Sequence, residues 1–319
     1  MLGAVDPASV DPWAFQAHPE VWLLVGSLIG LYVYAVRVIG PTVVPAGQPV
    51  VTRRQIGYFV AAIAMLEVGS DWPLHDVAEK YLYSAHMLQH MMLSYFMPPL
   101  VLLAMPEWFM RLLFDNPKAY AVLKFLTKPV IAGLAFNLTV MTTHIPGLVN
   151  RSAENTPLHY LLHVLLVSTA LLMWMPVVGP FKELHLSYGA RMIYLFLQSV
   201  VPTVPAGWLT FADGVVYKHY NIPERVWGLS ATHDQQIAGA IMKIGGGFFL
   251  WGIVIYYFFG RFSHRFRTDA DQSYRRSGPG TEVGELASDD EPLTYEQVTA
   301  AFERAPAIPE SPWPPPTVR

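Results

Sequence analysis

Residues 82–104 read LYSAHMLQHMMLSYFMPPLVLLA, a run of 23 positions without a single Asp, Glu, Lys or Arg. About 20 mostly apolar residues suffice to cross the hydrocarbon core of a bilayer, so this stretch predicts a membrane span. Six further segments meet or approach the same test, at 21–39, 56–69, 129–145, 158–178, 188–211 and 236–259. The expected fold is therefore all-α: a polytopic membrane bundle of seven transmembrane helices. Pro98 and Pro99 in the third span, and Pro202 and Pro205 in the sixth, predict kinks, which membrane helices tolerate when neighbours satisfy the freed carbonyls.

Composition agrees with a lipid solvent. Of 319 residues 53% are apolar and 14% charged, and the mean hydropathy is +0.32, whereas soluble domains carry about a quarter charged residues. The net charge of −3, with no basic stripe, gives no sign of nucleic-acid binding. There is no cysteine, which excludes disulfides, thiolate metal sites and a cysteine nucleophile. Any metal site must use His, Met, Asp or Glu.

Lys and Arg concentrate in alternate connections: Arg37, Arg53 and Arg54; Arg111, Lys118, Lys124 and Lys128; Lys182 and Arg191; Arg261, Arg265 and Arg267. By the positive-inside rule the N-terminus is expected to lie outside and the C-terminus in the cytoplasm. Residues 1–20 lack the basic region of a signal peptide and read as an extracytoplasmic segment ahead of a membrane domain at 21–262. Residues 263–319 are rich in Pro, Ser, Gly and acidic side chains, and are expected to form a disordered cytoplasmic tail, with one short amphipathic helix at 292–304.

On this topology the histidines gather at one face. His86 and His90 are four residues apart in the outer half of the third span, and His159 and His163 repeat that spacing in the fifth. At 1.5 Å rise per residue both pairs lie about 6 to 12 Å into their helices. Two such pairs at matched depth can converge into a metal or haem site. His144 ends the fourth span, while His75 and His233 fall in outer loops or span entrances. Imidazole suits copper, zinc, iron and nickel, and thioether favours Cu(I); Met87, Met91 and Met242 are therefore candidate ligands, although methionines also fill bundle cores. Asp71 and Asp234 are candidates to orient imidazoles, and His75, Asp76 and His233 to form an entry route. Glu67 and Lys243, ionisable groups within spans, are expected to pair. Neutral imidazole is the ligand form, so occupancy is expected to fall as pH drops through about 6.

Several enzyme patterns fail. Met87 stands where HExxH would need its general base, and no GxSxG elbow is present. A seven-span zinc hydrolase with three His and an acidic base stays open as an alternative, as does a membrane haem protein with axial His.

HMLQHMML and MPPLVLL within 86–103, THIP at 143–146, LHYLLH at 158–163, WMP at 174–176 and DQQIAGAIM at 234–242 together resemble the multi-spanning CtaG family of cytochrome c oxidase assembly factors, over about residues 56–258. The resemblance implies maturation of a haem–copper oxidase by supply or insertion of copper, rather than an enzyme activity. It maps the family's histidine motifs onto His86, His90, His144, His159 and His163, and its DQ motif onto Asp234 and Gln235. Lys243 follows that motif where the family often has an aromatic residue. The expected partners are the bilayer, an oxidase subunit and an outer-side copper donor, with room for a homodimer.

Overall fold

A computed structural model describes residues 11–223, 225–277 and 299. All regular structure among them is helical. The N-terminal helix α1 (Pro19–Tyr34) continues through a π turn into α2 (Gly40–Val43), and α3 (Arg53–Ser70) returns alongside. After the short α4 (Leu74–Lys80), α5 (Tyr83–Met91) passes through a second π turn, Met92–Phe96, into α6 (Met97–Ala104). Then follow α7 (Glu107–Leu113), α8 (Pro117–Leu126), α9 (Pro129–Thr143), α10 (Pro146–Ala153), α11 (Thr156–Val178), α12 (Tyr188–Val200), α13 (Thr203–Thr210) and α14 (Ala231–Ser277).

Five stretches are long and apolar enough to cross a membrane: Pro19–Val43, Tyr83–Ala104, Thr156–Val178, Tyr188–Thr210 and Ala231–Gly260. Helices α8 and α9, bent by 67° at their junction, make a sixth if they form one span. The expected second span lies on α3, whose 18 residues include Arg53, Arg54 and Glu67, and it is not one of the five.

Local sequence explains where these helices begin and bend. Thr52 and Gln55 form a reciprocal capping box on α3. Asn155 accepts from Leu158 N at 3.0 Å to start α11. Each π turn runs into a helix that opens with proline: Pro41 in α2, and Pro98 and Pro99 in α6. Proline offers no N–H to the carbonyl four residues back, and the widened turn absorbs the mismatch. The sixth span breaks at Pro202, between α12 and α13.

Phe136, Trp174, Leu195 and Leu209 are fully buried in the core that α9, α11, α12 and α13 share. Large apolar side chains such as Leu23, Val130, Phe248 and Tyr256 point outward, as lipid-facing residues do. The segment 263–319, expected to be disordered throughout, instead opens as helix through Ser277. No Gly or Pro interrupts 261–277, and Gly278, Pro279 and Gly280 follow. Residues 278–298 and 300–319, with the proposed amphipathic stretch except for helical Thr299, lie outside the described residues, as do residues 1–10.

One side chain fixes the start of α5. Asp234, 1% exposed, accepts from Tyr83 N at 2.7 Å and Ser84 N at 3.0 Å. Its carboxylate on α14 thereby satisfies two of the amides that a helix N-terminus leaves without intrahelical partners, and negative charge is favoured there. Asp234→Ala is expected to cost about 2–3 kcal/mol, the worth of charge-assisted bonds to buried groups, with Asp234→Asn losing less; thermal unfolding in detergent reads the order.

Candidate metal centre

Helix α5 begins at Tyr83, so His86 and His90 occupy its first two turns on one face. Helix α11 begins at Thr156 and presents His159 and His163 in the same way. The two faces meet. Ring centroids are 4.4 Å apart for His86–His90 and for His159–His163, and 4.8 Å for His90–His163 across the helices. His86 stands 5.7 Å from His159 and 5.9 Å from His163. One ring nitrogen each from His86, His90 and His163 falls within 4.8 Å of the others.

The carboxylate against this quartet is Glu79, at the end of α4. Its Oε1 lies 3.3 Å from His86 Nδ1 and 3.1 Å from His159 Nε2. These are ion-pair distances, but the angles are not those of hydrogen bonds. Burial pushes the Glu79 carboxyl up, and the adjoining His159 and His86 outweigh it, holding the group well below the usual carboxylate range. Glu79 itself is positioned from outside. Tyr220 donates its hydroxyl to Ala78 O at 3.1 Å, and His219 lies 3.5 Å from Glu79 O.

A second polar group adjoins the first. The Gln89 amide is 3.1 Å from His75 Nδ1. His75 stacks edge-on against His18 at 5.0 Å, and His18 Nε2 is 3.1 Å from Asp76 Oδ2, while Asp76 Oδ1 pairs with Lys80 Nζ at 2.9 Å. Of the residues expected along an entry route, His75 meets Gln89 of α5, Asp76 binds His18 and Lys80, and His233 is exposed and apart from these contacts.

Among the described residues eleven buried side-chain polar atoms have no hydrogen-bond partner, and five are imidazole nitrogens: His86 Nδ1, His90 Nε2, His144 Nε2, His159 Nε2 and His163 Nε2. An orphaned buried polar atom costs about 1–3 kcal/mol, and native proteins hold only a few per hundred residues. Four of the five sit on the facing helices α5 and α11, which fits a set of donors arranged for an electron-pair acceptor.

The remaining expectations divide. His144 is buried, with Nδ1 2.6 Å from Val140 O; it is near enough to interact electrostatically with His90 and His86 but stands outside the three-nitrogen group. Met87, Met91 and Met242 lie in the apolar core beside Phe136 and Trp174. A methyl added at Gly246 of α14 would sit 3.6 Å from Met91 Sδ, so this sulfur faces α14 while the histidines of α5 face α11.

The carboxylates expected to orient imidazoles do other work. Asp234 caps α5, and Asp71 accepts from Trp22 Nε1 and from Trp72 N, each at 2.8 Å. Gln235 Oε1 accepts from Val216 N and Tyr217 N at 2.9 and 3.2 Å, and its amide donates to Tyr217 O. The expected Glu67–Lys243 pair does not form. Exposed Lys243 donates to Thr203 Oγ1 at 2.7 Å, and Glu67 neighbours Asp71 instead. Sequence reasoning missed Glu79, Gln89 and His18; Gln89 within HMLQH was the one signal that a further polar group shares this helix.

Burial lowers the His18 pKa, but Asp76 and Glu20 more than offset this and raise it above its ordinary value. A raised folded-state value means the stabilisation is complete below about pH 6.5 and lost as pH rises through the folded value. His18→Gln is therefore expected to lower the unfolding midpoint at pH 5.5 and to match wild type at pH 8.5.

Neither the curated proteins nor the solved structures provide a match to this chain. A family model, described as cytochrome c oxidase caa3 assembly factor, matches residues 30–264, a range that contains α3 to α13, Glu79, the histidine quartet and His144. The chain belongs to this family of cytochrome c oxidase caa3 assembly factors.

Proposed function

We propose that the chain binds one Cu(I) ion through His86, His90 and His163 and passes it to a haem–copper oxidase subunit during assembly. The supporting observation is the convergence of one ring nitrogen each from His86, His90 and His163 within 4.8 Å of one another, with His90 Nε2 and His163 Nε2 buried and accepting no hydrogen bond among the described residues. Three neutral imidazoles suit a soft, low-charge ion. Glu79 beside His86 and His159 orients the ligand rings, as outer-shell carboxylates do. His159, next to His163, is placed to take over a ligand position as the ion leaves.

The family assignment supports an assembly role over hydrolysis. Packing favours a small ion over haem held between these two rings, because His90 and His163 stand 4.8 Å apart, centroid to centroid. In the membrane we infer seven spans, with α3 and the α8–α9 pair completing the five long ones. The Lys and Arg distribution supports an orientation with the histidines toward the outside of a bacterial cell, where a copper donor would reach them.

Full-length protein in detergent, titrated anaerobically with Cu(I) against a chromophoric chelator, is expected to bind one equivalent. The triple variant H86A/H90A/H163A is expected to bind none, and full stoichiometry in that variant would refute the site. Glu79→Gln keeps the shape but removes the charge. It is expected to weaken Cu(I) binding about 10- to 100-fold, the usual cost of losing an outer-shell partner.

A further inference from the structure

A cavity of about 610 Å³ opens between α1, α3, α6 and α11, within the roughly 300–1,000 Å³ range of small-ligand sites. It is long rather than round. From His159 to Leu171 it follows α11 for about 18 Å at 1.5 Å per residue. Its flanks are mainly aliphatic, with Leu24, Leu66 and Val167 among them; Gln89, His75 and His159 lie toward one end, and Ser168 is the polar residue toward the other. The α1 wall buries only Val21 and Val25 of its own residues, so the cleft is bounded on that side by a loosely seated helix facing lipid.

The polar end has a specific chemistry. Gln89 is 2% exposed, one end of its amide meets His75, and its Oε1 has no partner. Amide oxygen and nitrogen can exchange places, but either orientation leaves one amide atom unsatisfied. A hydroxyl, which both donates and accepts, answers either case. Among the described residues no Lys or Arg lines the cleft, and Glu20 is part of its wall, so a phosphate head meets no Lys or Arg counter-charge there. The rings of His75, His159 and Tyr160 frame this end, a setting suited to a flat aromatic head.

We propose that this cleft binds a membrane hydroquinone, its ring hydroxyl on the Gln89 amide and its single apolar tail laid along α11. The cleft shares His159 and His163 with the histidine quartet, but the contact that carries the proposal is to Gln89, which is not a proposed copper ligand, and binding is expected without metal.

The test uses metal-free, full-length protein in phospholipid nanodiscs under anaerobic conditions. Displacement of a tritiated decyl hydroquinone is measured with the unlabelled hydroquinone, its dimethyl ether, and an unbranched alcohol of equal length. On wild type the hydroquinone is expected to compete about tenfold better than either analogue, a difference of about 1.4 kcal/mol. Gln89→Leu should abolish that preference, and Leu66→Trp should block binding by filling the cleft. Equal competition by the ether on wild type would overturn the proposal, because the cleft would then read only a chain, as for a bulk-lipid tail. Equal competition by the alcohol would also overturn it, because the ring would go unread.

Discussion

The buried Asp234 carboxylate on the amides of Tyr83 and Ser84 is the constraint on which the site depends. Within a bilayer no water repairs a helix end left unsatisfied, so the residue that caps α5 also decides its starting point and rotation. His86 and His90 follow within two turns, and their facing of α11 descends from that cap. The neighbouring Gln235 performs the matching task for the loop before α14. It holds the backbone of Tyr217, whose hydroxyl donates to His144 O at 3.0 Å. One dipeptide thus ties the start of α5 to the end of α9, and both carry histidines.

Such rigidity has a chemical consequence. Imidazole nitrogens without partners are costly in a dry interior, and a chain would ordinarily relax to pair them. Here α5 is pinned by Asp234, α11 starts from its Asn155 cap, and Glu79 approaches His86 and His159 from α4. The donors remain directed at one another. Met91 meanwhile faces α14, its Sδ against Gly246.

Much of this arrangement was legible in the sequence, because helical periodicity is short-range. The i,i+4 spacing of HMLQH and HYLLH put each pair on one face, and their matched distance from a helix start put them at one depth. The prolines at 98, 99 and 202 marked bends that are present as a π turn and a break. Partners far apart in sequence were not legible. Glu79 lies before α5 in a short helix whose direction no periodicity reveals, and hydropathy could not say which carboxylate meets which imidazole. Asp71 and Asp234 were therefore assigned to imidazoles when they bind indole and backbone N–H groups. The Glu67–Lys243 pairing failed for the same reason, since depth along two spans does not fix their rotation.

The central claim is that three imidazoles from α5 and α11, and no thioether, hold the ion. X-ray absorption at the copper K-edge of the Cu(I)-loaded, full-length protein tests it most directly. A first shell of nitrogen scatterers alone, with the outer-shell pattern of imidazole rings, is the expected spectrum. A sulfur contribution in the first shell would contradict the account, because it would bring Met87, Met91 or Met242 out of the core and onto the metal.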